Sequence, residues 1–123
     1  DLVTADATFR GGCISPGMKT RFRALHDYTA KLPLCAATES EELAGLTTRQ
    51  AIELGVMNGI AFEIEGYAAR MRSQIDDLCV IFTGGDANFF VKRIKNTIFA
   101  NCNLVFCGLN RILEYNASEE HLD

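Results

Sequence analysis

Leu78-Cys79-Val80-Ile81-Phe82-Thr83-Gly84-Gly85-Asp86 decides the fold class. Five apolar residues in a row, bounded by Asp77 and Gly84, have the pattern of a strand covered on both faces, as in a parallel sheet. Gly84 and Gly85 then turn the chain into a segment carrying Phe89, Phe90, Val91 and Ile94, which reads as a helix. A buried strand, a glycine turn and a helix make a βα unit. Toward the C-terminus, Asn103-Leu104-Val105-Phe106 is expected to form a further short strand. Leu109, Ile112 and Leu113 mark a closing helix, and a polar tail is expected from Ser118.

Toward the N-terminus lies a long helix. Thr47-Thr48-Arg49-Gln50 fits a capping box, with the Thr47 hydroxyl on a free N–H and Gln50 reaching back. Ile52, Val56, Ile60, Ile64, Met71 and Ile75 run down one face, with Tyr67 or Ala68 filling the gap, so the helix should start at Thr47 or Thr48 and reach at least Arg70. Gly55, Gly59 and Gly66 interrupt it, each at about 1 kcal/mol relative to alanine. That cost implies a close approach by another backbone, either through tight packing on the sheet or at a subunit contact. Residues 36–46 read as a polar surface loop. Met18, Phe22, Leu25, Thr29 and Leu32 mark an earlier amphipathic helix limited by Pro33. Leu2 to Ser15 reads as a hairpin with its turn near Ala5-Asp6-Ala7, a returning strand over 11–15, and closure by Pro16-Gly17.

The resulting order is strand, strand, helix, helix, strand, helix, strand, helix, which predicts an α/β fold with a mixed sheet flanked by helices. One domain is expected over residues 1–117, with a tail over 118–123. The chain opens with Asp-Leu-Val-Thr and no initiating methionine, which reads as the middle of a strand in an N-terminally incomplete domain.

With 48% hydrophobic and 23% charged residues, the 123-residue chain lies in the ordinary globular range. Twelve basic residues scattered among sixteen acidic ones, with a net charge of −4, argue against nucleic acid or an anionic membrane as partner. No apolar run is long enough to span a bilayer. A protein of this charge that handles a nucleotide relies on backbone N–H groups, a helix N-terminus or a metal ion. Five cysteines, none at zinc-finger spacing and none close in sequence to His26 or His121, read as reduced cytosolic thiols; Cys13, Cys79 and Cys107 are expected to act as small core residues.

Thr83-Gly84-Gly85 stands out as a ligand-binding candidate. It lies at the C-terminal end of a strand and before a helix, where open α/β sheets place their ligands; an ordinary tight βα turn has the same composition. Gly11-Gly12 marks a bulge or a place where something packs on the strand. Asp1, Asp6, Asp76, Asp77 and Asp86 are candidate acids, but no paired spacing singles one out. His26, beside Asp27, reads as a surface residue, and there is no Walker A loop, Rossmann fingerprint or nucleophile elbow.

Three stretches resemble the type III pantothenate kinases, a family that includes proteins labelled Bvg accessory factors. Gly11-Gly12-Cys13-Ile14-Ser15-Pro16-Gly17 is similar to the family's Gly-Gly-x-Ile-x-Pro-Gly. Thr29-Ala30-Lys31-Leu32-Pro33 follows at the family's spacing, and the stretch from Thr48 through Ala51-Ile52 to Gly55 resembles its Asn-Thr-x-x-Ala-Ile-x-x-Gly, with Thr47 where the family has Asn. Thr83-Gly84-Gly85 falls where the family has its own Thr-Gly-Gly.

The resemblance implies an actin-like fold of the sugar-kinase and heat-shock superfamily and a homodimeric cytoplasmic enzyme. It implies phosphorylation of pantothenate to 4′-phosphopantothenate in coenzyme A synthesis, using ATP, magnesium and a monovalent cation (potassium or ammonium). On it, Thr48 contacts pantothenate, while Thr83, Gly84 and Gly85 belong to the ATP side of the cleft; Asp1, Gly11 and Gly12 are further candidates to line that cleft. The family's phosphate motif, its catalytic base and its cation ligand all lie upstream of Asp1. No catalytic or metal-binding residue is therefore expected in this chain, which alone should be inactive. A non-catalytic regulatory protein that kept the fold is the alternative.

Overall fold

The computed structural model describes residues 1–94, 98–101 and 103–119. The chain forms two compact units, Asp1–Met57 and Asn58–Asp123.

The first unit opens with β1 (Leu2–Val3) and β2 (Phe9–Gly11), an antiparallel pair with Leu2 opposite Gly11 and Val3 opposite Phe9. The returning strand thus lies earlier than the predicted 11–15. The turn explains why. Thr4 and Thr8 close it through Thr4 N–H to Thr8 O (3.0 Å) and Ala7 N–H to Thr4 O (2.9 Å), with Ala7 in the left-handed region at φ 61°. Closure that early pairs Phe9 with Val3 and leaves residues 12–17 as an extended loop.

α1 (Met18–Asp27) buries Met18 and Phe22 and ends before Thr29 and Leu32, short of the predicted limit at Pro33. The Thr29 hydroxyl donates to Leu25 O (2.5 Å), and His26 Nδ1 donates to Leu32 O (2.8 Å), so the chain folds back over its own last turn. Pro33 also biases Leu32 away from helical geometry.

α2 (Thr48–Arg72) is a single 25-residue helix with no break at Gly59. Thr47 Oγ1 accepts from the Gln50 N–H at 3.3 Å, as the capping box requires; Gln50 Oε1 accepts from Leu46 N–H at 3.0 Å, one residue further back than expected. Gly45 makes this start possible: a Cβ there would lie 2.5 Å from Gln50 C and Ala51 N. In the first unit α2 buries Ile52, Leu54, Val56 and Met57. In the second it buries Asn58, Ile60, Ala61 and Ala68, a wider face than the predicted stripe. Ile64 and Met71 are only half-buried, and Ile75 lies beyond the helix. Gly55 and Gly66 sit on the open side, where an added Cβ would meet nothing within 4 Å, so among the described residues no backbone approaches them.

The second unit carries β3 (Val80–Phe82), α3 (Ala87–Arg93) and β4 (Ile98–Ala100). β3 and β4 are parallel, Val80 opposite Ile98 and Phe82 opposite Ala100, and Asn101 N–H extends the ladder to Phe82 O (2.8 Å). The βα unit is therefore present, but the partner strand is Ile98–Ala100 and not the predicted 103–106, which begins α4 (Leu104–Glu119). Nor is β3 covered on both faces, since Ile81 is exposed. Among the described residues the strands form two separate two-stranded sheets in place of one mixed sheet. Ser118 and Glu119, predicted to begin a tail, belong to α4; 120–123, with His121, fall outside the described residues. Ala87, Phe90 and Ile94 supply the buried side chains of the α3 segment, and Arg93 Nη1 donates to Asn58 Oδ1 (2.9 Å).

Candidate functional site

Within the first unit the hairpin brings Asp1, Gly11 and Gly12 together. Gly11 has φ +105°, a conformation that side chains resist. At Gly12 a Cβ would collide with Asp1 Oδ1 and stand 3.1 Å from Asp1 Cα, so any larger residue requires Asp1 to shift. The loop that follows is fixed from α1. Arg21 Nε donates to Pro16 O at 2.7 Å, and its Nη2 donates to Ser15 Oγ at 2.9 Å. Arg21 was not singled out by the sequence. The available signal was a basic residue one helical turn after Pro16-Gly17, placed to reach back over the loop.

The surroundings of Asp6 shift its ionisation. The Thr4 hydroxyl, 2.5 Å from Asp6 Oδ1, is the main cause; Thr8 adds a side-chain bond and its backbone N–H at 3.3 Å. Together they hold the carboxyl below its ordinary value of 3.8. This is turn chemistry in an exposed hairpin tip, and it gives Asp6 no catalytic geometry.

Thr48 is exposed on the first turn of α2, and its neighbour Thr47 does the capping.

Within the second unit, Thr83, Gly84 and Gly85 are all exposed between β3 and α3. Gly84 has φ +89°, and added Cβ atoms at Gly84 and Gly85 would each meet nothing within 4 Å. The turn therefore presents bare backbone to open space. Ala87 N–H to Gly84 O (3.3 Å) starts α3, and Asp86 makes no side-chain cap bond.

Among the described residues no group of three or more His, Cys, Asp or Glu side chains could hold a metal ion. Cys13, Cys79 and Cys107 are exposed, contrary to the core role expected of them. Cys13 lies on the loop, Cys79 precedes a strand of only three residues, and Cys107 is on α4. Among the described cysteines Cys35 is the buried one, with Arg49 Nη1 3.7 Å from its Sγ. No helix among the described residues is long and apolar enough to cross a membrane.

These features define a class: an α/β protein with glycine turns at strand ends, the position where such folds hold ligands. The comparisons go further. Residues 1–70 match the sequence profile of the type III pantothenate kinases. The chain is 48% identical over 115 residues to the type III pantothenate kinase of Flavobacterium psychrophilum, covering 94% of this chain and 48% of that one. It is 46% identical over 115 residues to that of Cytophaga hutchinsonii (94% and 49%) and 41% identical over 120 residues to that of Flavobacterium johnsoniae (98% and 49%). The chain belongs to the type III pantothenate kinase family. It spans about half the length of the curated relatives it matches.

Proposed function

We propose that this chain is the C-terminal half of a type III pantothenate kinase whose full-length parent phosphorylates pantothenate with ATP. The observation that carries this reading is the family match over residues 1–70, which contains the Gly11–Gly17 loop motif and the Thr48 motif together. In the parent, the 4′-hydroxyl oxygen of pantothenate bonds to the γ-phosphorus as the bond to the β,γ-bridging oxygen breaks. ADP leaves, and the hydroxyl proton passes to a base outside this chain. Such transfers depend on positioning and charge stabilisation.

This half supplies positioning. Thr48 contacts pantothenate, its hydroxyl spared for that by Thr47. Thr83, Gly84 and Gly85 take the adenosine side of ATP, where bare backbone allows close approach. Asp1, Gly11 and Gly12 line the cleft wall. Magnesium and a monovalent cation (potassium or ammonium) serve the parent through ligands elsewhere in its chain. The parent adopts the actin-like fold, works in the cytoplasm, and self-associates as a homodimer. Two exposed glycines on one side of α2 support that association, since they admit a second backbone at no steric cost.

Supplied with ATP, magnesium, potassium and pantothenate, the parent should form phosphopantothenate, while residues 1–123 alone should form none. A parent that binds neither ATP nor pantothenate would overturn the reading in favour of a regulatory protein that kept the fold.

A further inference from the structure

α4 is 16 residues long, yet every residue from Leu104 to Ser118 is exposed. Its large apolar side chains are not scattered. Val105, Leu109 and Ile112 follow one another at four and three residues, and Phe106, Leu109 and Leu113 at three and four, so they share one face. Phe106 is 69% exposed, Ile112 59% and Leu113 66%. The polar side is already paired within the helix: Asn110 Nδ2 donates to Glu114 Oε1 at 2.8 Å, and Arg111 Nη1 lies 3.9 Å from Glu114 Oε2. A lone helix of this length is marginal in water, because helical stability comes mostly from covering such a face. An apolar stripe of this kind marks an interaction surface.

The size of the relatives points to the occupant. They match 94–98% of this chain with only 48–49% of their own length, so they carry roughly as many residues again beyond the matched span. We infer that the apolar face of α4 seats on the part of the parent protein that lies outside residues 1–123, as a docking element within one parent molecule. The inference rests on the reading of this chain as half of a pantothenate kinase. That part of the parent accompanies α4 in every copy and is tethered to it, so it reaches the stripe at a far higher effective concentration than any free partner. Self-association has a different surface available, the open glycine side of α2.

The test uses the full-length parent with a photo-crosslinking phenylalanine analogue at Leu109 or Leu113. Crosslinks should join α4 to residues outside 1–123 in a species of monomer mass. Crosslinks between two copies of α4 at twice that mass overturn the inference, as does α4 exchanging its amide hydrogens without protection. A second measurement uses Leu109→Asp. It should lower the Tm of the parent; an unchanged Tm overturns the inference. Phosphopantothenate formation, assayed in parallel, separates the two ideas. An active kinase lacking the crosslinks refutes the docking alone, and a docked but inactive parent refutes the function alone.

Discussion

Gly11-Gly12 and Gly84-Gly85 look alike in sequence and differ in what surrounds them. The first pair is confined: Gly11 needs its positive φ, and Gly12 has the Asp1 backbone against it. The second pair stands open, with only Gly84 held at positive φ and free space above both residues. A glycine crowded by its own chain is explained by the fold. One that faces nothing, as Gly85 does, is not explained by packing within the chain.

Substitution should expose that difference. Gly12→Val forces a branched side chain into Asp1 and should cost about 1–3 kcal/mol, read as a lower denaturant midpoint. Gly85→Val meets no neighbour and should stay within about 0.5 kcal/mol of the wild type, while raising KM for ATP in the parent. Equal destabilisation by the two changes breaks the comparison.

The adjacent threonines sharpen it on a smaller scale. Thr47→Ala removes the cap of α2 and should cost about 1 kcal/mol of stability. Thr48→Ala should leave stability unchanged and raise KM for pantothenate in the parent roughly threefold to tenfold, the worth of one neutral hydrogen bond. If Thr48→Ala abolishes turnover with pantothenate affinity intact, its role as a binding contact is wrong.

The smallest effect lies at the hairpin tip. Asp6 should titrate below 3.8 by NMR, and Thr4→Val should bring it back toward that value. Because the folded-state value is the depressed one, the contribution of Asp6 is present above 3.8 and disappears as pH falls through the lowered value. A carboxyl that titrates at its ordinary value in both proteins removes the Thr4 hydrogen bond from the account.

Local signals were legible in the sequence wherever chemistry fixed a boundary. The capping box located the start of α2, and the apolar run before Thr83 located β3. Asn103-Leu104-Val105-Phe106 misled because a short apolar run suits a strand or a helix equally, and Gly108 separated it from the helical spacing of Leu109, Ile112 and Leu113. β4 at Ile98–Ala100 was missed, since three residues show no period. The role of Gly45 could not be read, because a steric requirement of backbone on backbone leaves no pattern in composition. At the candidate site the glycines and the Thr47 cap were legible; the Arg21 clamp was not, as it depends on where a side chain points.

α4 has a further consequence for the life of the chain in a cell. A helix that displays Phe106, Leu109, Ile112 and Leu113 to water is what holdase chaperones and proteases recognise in unassembled polypeptides. A copy of residues 1–123 produced alone should therefore be cleared faster than one in which this face is covered.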